Sequence, residues 1–97
     1  MSAEPFEVLF RPEVEHDLRA FGTKDRRRLL KIIRDRLRTH PEEYGKPLGG
    51  ALRGLRRVRT GDYRIAYQVQ DDQVIVWCIK HRKDVYQALE RRLGAPH

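Results

Sequence analysis

Apolar residues fall along this chain in runs whose period changes from segment to segment. Residues Phe6 to Phe10 form a short apolar-rich run that reads as a strand, and Arg11-Pro12 ends it. Pro12 suits the first turn of a helix, and Glu13, Glu15 and Asp17 lie toward that helix's positive end. Val14, Leu18 and Phe21 then recur at helical spacing, and Gly22 closes the helix. Thr23 is placed to cap a second helix, whose apolar face is Leu29, Leu30, Ile33 and Leu37. That helix stops near His40, because a proline at position 41 disfavours helical geometry in the residue before it. With so short a connection the two helices fold back as a hairpin, and their narrow apolar stripes need a sheet to cover them.

Residues 41–54 hold Pro41, Pro47 and four glycines, so they read as a loop with little regular structure. Three strand-like runs follow, at about 55–60, 62–70 and 73–80, separated by Gly61-Asp62 and Asp71-Asp72. Connections this short imply hairpins and hence an antiparallel meander. Val85, Leu89 and Leu93 follow Asp84 at helical spacing and predict a terminal helix. The expected fold is α+β with the order β-α-α-β-β-β-α: a small antiparallel-rich sheet packed on a helical hairpin as one pair of layers, with a C-terminal helix. At 97 residues the chain suits one domain, residues 1–97.

Charge changes this picture. Lysine and arginine total 21 against 14 acids, a formal net charge of +7, and only Lys24, Lys31, Lys46, Lys80 and Lys83 are lysines. Arginine offers a planar fork that meets two phosphate oxygens at once and stacks on bases, so its excess favours nucleic acid as a partner. A base-composition bias of the genome would also enrich arginine, but it would not choose where the arginines sit. In the stretch GLRRVRTGDYRIAYQV, strand alternation puts Leu55, Arg57 and Arg59 on one face and Arg56, Val58 and Thr60 on the other. In the next strand Arg64, Ala66 and Gln68 face away from Tyr63, Ile65, Tyr67 and Val69. Arg57 and Arg64 are expected to meet across the hairpin, where paired like charges destabilise the sheet unless an anion binds. Solvation and pairing with Asp62, Asp71 or Asp72 is the competing account of the same residues.

The stretch KHRKDVY places Lys80, His81, Arg82 and Tyr86 where the last strand gives way to the last helix. Together with the strand arginines it has the composition of a phosphodiester site: histidine moves protons near neutral pH, arginine neutralises phosphorane charge, and tyrosine stacks or donates a hydrogen bond. A structural histidine capping the final helix fits His81 equally well. Cys78 is the only cysteine and lies within VIVWCI, which suits a core residue and excludes an intrachain disulfide. His16, His40, His81 and His97 lack metal-ligand spacing, so neither metal nor cofactor is expected. Ser2 is the only serine, and no phosphate-binding glycine loop with its lysine is present. No segment resembles a signal peptide or a membrane span, so a cytoplasmic protein without membrane contact is expected.

The segment GKPLGGALRGLRRVRTGDYRIAYQVQDDQVIVWCIKHRKDVY resembles the RelE/ParE superfamily of toxins from toxin–antitoxin modules, and within it the RelE branch. The resemblance implies a single RelE-like toxin domain that enters the ribosomal decoding site and cuts messenger RNA by attack of a ribose 2′-hydroxyl on the neighbouring phosphorus. It further implies a cognate antitoxin, with ribosome and message as targets, and allows a toxin–antitoxin heterotetramer that binds operator DNA. Residue by residue, it implies that Arg64 stabilises the phosphorane, that Arg57 acts electrostatically and that Tyr86 orients or stacks the substrate. His81 and Arg82 are the contribution of the loop, with His81 as candidate acid or base, and Arg56, Arg59, Lys80 and Lys83 as further RNA contacts. Leu55 stands where some RelE proteins have a basic residue. ParE-type members poison DNA gyrase instead, and a non-catalytic RNA-binding relative is a third alternative.

Overall fold

In the computed structural model, which describes residues 5–94, the meander is the centre of the fold. It consists of β3 (Arg56–Thr60), β4 (Tyr63–Gln70) and β5 (Gln73–His81). Gly61 (φ 61°) and Asp71 (φ 55°) take the left-handed conformation that each tight connection needs, one a glycine and one an Asp, which tolerates it better than most residues. β1 (Glu7–Phe10) joins β5 in parallel, and β2 (Lys46–Pro47) joins the far edge of β3, giving a five-stranded sheet in the order β1-β5-β4-β3-β2.

The helices cover both faces, so the fold has three layers where the sequence suggested two. On one face lies the hairpin of α1 (Pro12–Arg19) and α2 (Thr23–Ile32), the latter extended by a π-helical turn at Ile33–Leu37. Val14, Leu29, Ile33 and Leu37 pack there against Val58, Ile65, Tyr67, Val76 and Ile79. On the other face α4 (Val85–Gly94) sets Val85, Ala88 and Leu89 on Leu55, Ala66 and Cys78. The small side chains of Ala66 and Cys78 let α4 approach that closely. Burial also pushes the Cys78 thiol up to about 11, in keeping with an unreactive core residue.

Three local expectations are corrected. Gly22, in extended conformation (φ −65°, ψ 166°), occupies the capping position of α2, so Thr23 begins one residue too late to cap it. α1 ends at Arg19, ahead of Gly22. Asp17 lies in the last turn of α1 and not near its positive end; it is 2 % exposed.

Within the supposed loop, α3 (Pro41–Tyr44), β2 and a 3₁₀ turn at Gly50–Leu52 are regular. Tyr67 holds this segment down: its hydroxyl donates to the Pro41 carbonyl at 2.6 Å and accepts from the Gly45 N–H at 2.9 Å. A side chain at position 45 would collide with the Tyr67 ring, which explains the glycine. Tyr67→Phe strands both backbone groups in the interior, and a loss of about 1–3 kcal/mol in urea unfolding is expected. An unchanged midpoint would show that the phenol does not anchor the segment.

Candidate nucleic-acid interface

The turn at Gly61-Asp62 sets the register of β3 on β4, and that register brings arginines together. Arg59 lies directly opposite Arg64, and Arg57 opposite Ala66. Arg64 is therefore directly opposite two cations, Arg59 on β3 and Lys80 on β5, with Arg57 only diagonal to it, a correction to the expected Arg57–Arg64 pairing. Because α4 covers Ala66 and Cys78, its first turn delivers Tyr86 to the arginines, where the phenol oxygen accepts from Arg57 Nη1 at 2.6 Å. The loop between β5 and α4 adds Arg82 and Lys83, and the backbone N–H of Arg82 donates to the Asp62 carbonyl at 2.7 Å.

The result is an open groove of about 380 Å³ lined by Arg57, Arg59, Arg64, Arg82, Lys83 and Tyr86, with no carboxylate among them. Arg64 Nη1 donates to the carbonyls of Gly61 and Tyr63, at 3.0 and 2.8 Å, which fixes the side chain over the turn. Desolvation, with Arg59, Arg57 and Arg82 repelling its charge, lowers the Arg64 pKa from its ordinary value. Arg57 Nε is buried and has no hydrogen-bond acceptor among the described residues. Among the described residues, Asp62 pairs with one of these arginines, 3.7 Å from Arg82 Nε in a solvent-exposed pair that contributes little. Crowded cations with unmet donors are what an incoming phosphate would relieve.

Three candidates lie elsewhere. Arg56 turns to the hairpin side and donates to the Gly45 carbonyl through Nε and Nη2 at 3.1 and 2.9 Å. Lys80 pairs with Asp17 at 3.2 Å. His81 is opposite Tyr63 in the register and shares a separate groove with Asp17, Phe21 and Asp84. Its Nδ1 accepts from the Lys83 N–H at 3.2 Å, so the ring closes the turn before α4. The arginine groove thus has residues to hold and stabilise a phosphate, but neither a histidine nor a carboxylate lines it.

Sequence reasoning missed Lys46, which β2 sets directly opposite Arg57. The available signal was Pro47, since proline in a sheet belongs on an edge strand, and an edge strand there brings its neighbour Lys46 into the ladder. It also missed Asp17 and Arg92. Arg92 Nη2 and Nη1 donate to the two Asp17 oxygens, both at 2.8 Å, and Nη1 also reaches the Trp77 carbonyl at 2.8 Å. Asp17 Oδ2 accepts from the Ile79 N–H at 3.0 Å. β1 pairs only with Gln73 to Val76, so this side-chain pair satisfies the edge of β5 where the neighbouring strand ends.

Known proteins resemble the chain throughout the sheet and the groove. Residues 8–86 match the family model described as the ParE toxin of type II toxin–antitoxin systems. Toxin RelG of Mycobacterium tuberculosis is 28% identical over 85 residues, covering 86% of this chain and 98% of that protein. Toxin RelE of the same organism is 31% identical over 67 residues, covering 69% of each. The crystal structure of the RelBE2 toxin–antitoxin complex from M. tuberculosis contains a chain with TM-score 0.76 and 28% identity, covering 80% of this chain and 99% of that one. The chain therefore belongs to the RelE/ParE superfamily of toxins from type II toxin–antitoxin modules.

Proposed function

We propose that this toxin is a ribosome-dependent endoribonuclease that arrests translation by cutting messenger RNA. The observation that carries the reading is the composition of the groove: four arginines and a lysine around Tyr86, with no histidine or carboxylate base. In the proposed reaction the ribose 2′-hydroxyl gives its proton to water and its oxygen bonds to phosphorus, while the bond to the 5′-oxygen breaks, leaving a 2′,3′-cyclic phosphate and a 5′-hydroxyl whose proton comes from Tyr86, itself reprotonated from water. Arg59 and Arg64 neutralise the phosphorane, and Arg57 holds Tyr86 by its oxygen, which leaves the phenolic proton pointing away as a donor toward the substrate. A site that stabilises charge without its own histidine or carboxylate is slow on free RNA, and a substrate already held and bent by the ribosome supplies the missing orientation. His81, bound to the loop backbone, contributes by shaping the turn that carries Arg82 and Lys83.

A cognate antitoxin is proposed as the partner, supported by the RelBE2 complex, with acidic groups meeting the arginines. A toxin–antitoxin heterotetramer on operator DNA belongs to the same proposal.

The description of the matching family model favours a second reading, inhibition of DNA gyrase in the manner of ParE-type toxins. One comparison separates the two. Purified protein added to translating ribosomes is expected to create new 5′ ends in register with codons, with naked RNA left nearly intact and gyrase supercoiling unaffected. Intact messages together with blocked supercoiling would overturn the nuclease reading.

A further inference from the structure

Beside the arginine groove a second groove of about 320 Å³ opens, lined by Tyr44, Lys46, Arg57, Val58 and Arg59. The two share Arg57 and Arg59, so they adjoin at the edge of β3. The second exists because β2 pairs with Arg56 and Arg57, and among the described residues β3 from Val58 onward has no outer strand. Tyr44, at the end of α3, stands at this gap with 39% of its surface exposed. The Arg36 guanidinium lies 5.1 Å from its ring centroid. Glu42 and Glu43 belong to the same short helix but do not line the groove. An exposed ring flanked by cations, beside a lysine set against Arg57, is the combination by which proteins hold an unpaired base and its phosphate.

We propose that Tyr44 and Lys46 form a subsite for the nucleotide adjoining the one whose phosphate occupies the arginine groove. This rests on the reading of that groove as an RNA site. The base stacks on Tyr44, the phosphate meets Lys46, and Arg57 serves both subsites. The ligand is single-stranded RNA, because a base paired in a duplex cannot present its face to the ring.

The test is fluorescence anisotropy on the full-length protein with labelled 2′-O-methyl oligoribonucleotides, which lack the attacking hydroxyl, as a trinucleotide and a hexanucleotide. Tyr44→Leu is expected to weaken hexanucleotide binding roughly tenfold, in the range of one lost base stack, while trinucleotide binding changes less and Tyr44→Phe binds as wild type. Lys46→Ala, on an exposed strand, is expected to make the log–log salt slope shallower by about 0.7, one single-strand phosphate contact. Arg64→Ala is expected to weaken both lengths. Unchanged hexanucleotide binding in Tyr44→Leu and an unchanged slope in Lys46→Ala, with Arg64→Ala still weakened, would overturn the subsite and leave the groove reading standing. Failure of the wild-type protein to bind either RNA would overturn the subsite, while the groove reading is decided by cleavage on translating ribosomes.

Discussion

Arg64→Ala is expected to slow single-turnover cleavage of a ribosome-bound message by about 10²–10³-fold, the usual cost of removing one donor aimed at developing oxyanion charge. The expectation follows from where the strands put the residue. It faces Arg59 directly, has its pKa lowered by desolvation and then by the neighbouring arginines, and is braced by the Gly61 and Tyr63 carbonyls, so the guanidinium is held at the place of the proposed phosphorane. Arg64→Lys should recover only a small part of the rate, since an ammonium group keeps the charge and loses the two-pronged geometry. The side chain lies over a turn and outside both apolar clusters, so thermal unfolding should change far less than activity. Full-rate cleavage by a folded Arg64→Ala protein would move the reaction out of this groove.

Asp17→Ala is expected to destabilise the fold by about 3–5 kcal/mol, the range for removing one partner of a buried ion pair. Against a total stability of about 5–15 kcal/mol for a domain, the urea midpoint should fall sharply. Arg92 would be left partly buried without its carboxylate, and the Ile79 N–H would lose its acceptor. Asp17→Ala combined with Arg92→Met should recover part of the loss, because the pair is then removed as a whole. The pair also sets a pH dependence. Burial alone would raise the Asp17 pKa, but hydrogen bonds from Arg92 and Ile79 and the charges of Arg92 and Lys80 outweigh it, and the net shift is downward. A carboxyl whose folded pKa is depressed contributes its stability above the unfolded value, near 3.8, and loses it as pH falls toward the lower folded value. Wild-type protein should therefore weaken in that acid window, and Asp17→Ala should show a flatter profile there. Equal midpoints for wild type and variant would remove the pair from any account of stability.

Most of the sheet was legible because its information is local. Gly61-Asp62 and Asp71-Asp72 mark the hairpins, and alternation along β4 separates Ile65 and Tyr67 from Arg64 and Ala66. The Arg59–Arg64 pairing was legible as well, since a two-residue turn puts Thr60 opposite Tyr63 and the next pair follows by counting. What escaped depends on distant partners. α3 and β2 are held by Tyr67 and Arg56, more than ten residues away, so nothing in the Pro- and Gly-containing segment itself announced them. Asp17 read as a helix-dipole acid because Arg92, its partner, stands 75 positions on. The arginines of the candidate site were visible as composition, but its boundary was not, because Arg56 and His81 face the other side of the sheet and Lys80, although opposite Arg64 in the register, turns to Asp17.

The Asp17–Arg92 bond also bears on how the molecule comes off the ribosome. The first helix buries a carboxylate whose partner is among the last residues described, and at about 5–20 residues per second the 75 positions between them take roughly 4–15 s to synthesise. Until then Asp17 has Lys80 and the Ile79 N–H but lacks its two-pronged partner, and α4, which carries Tyr86 to the groove, is not yet whole. The nascent chain therefore completes its basic groove only once α4 has been made, and a product cut short before Arg92 lacks the bond that ties α1 to α4.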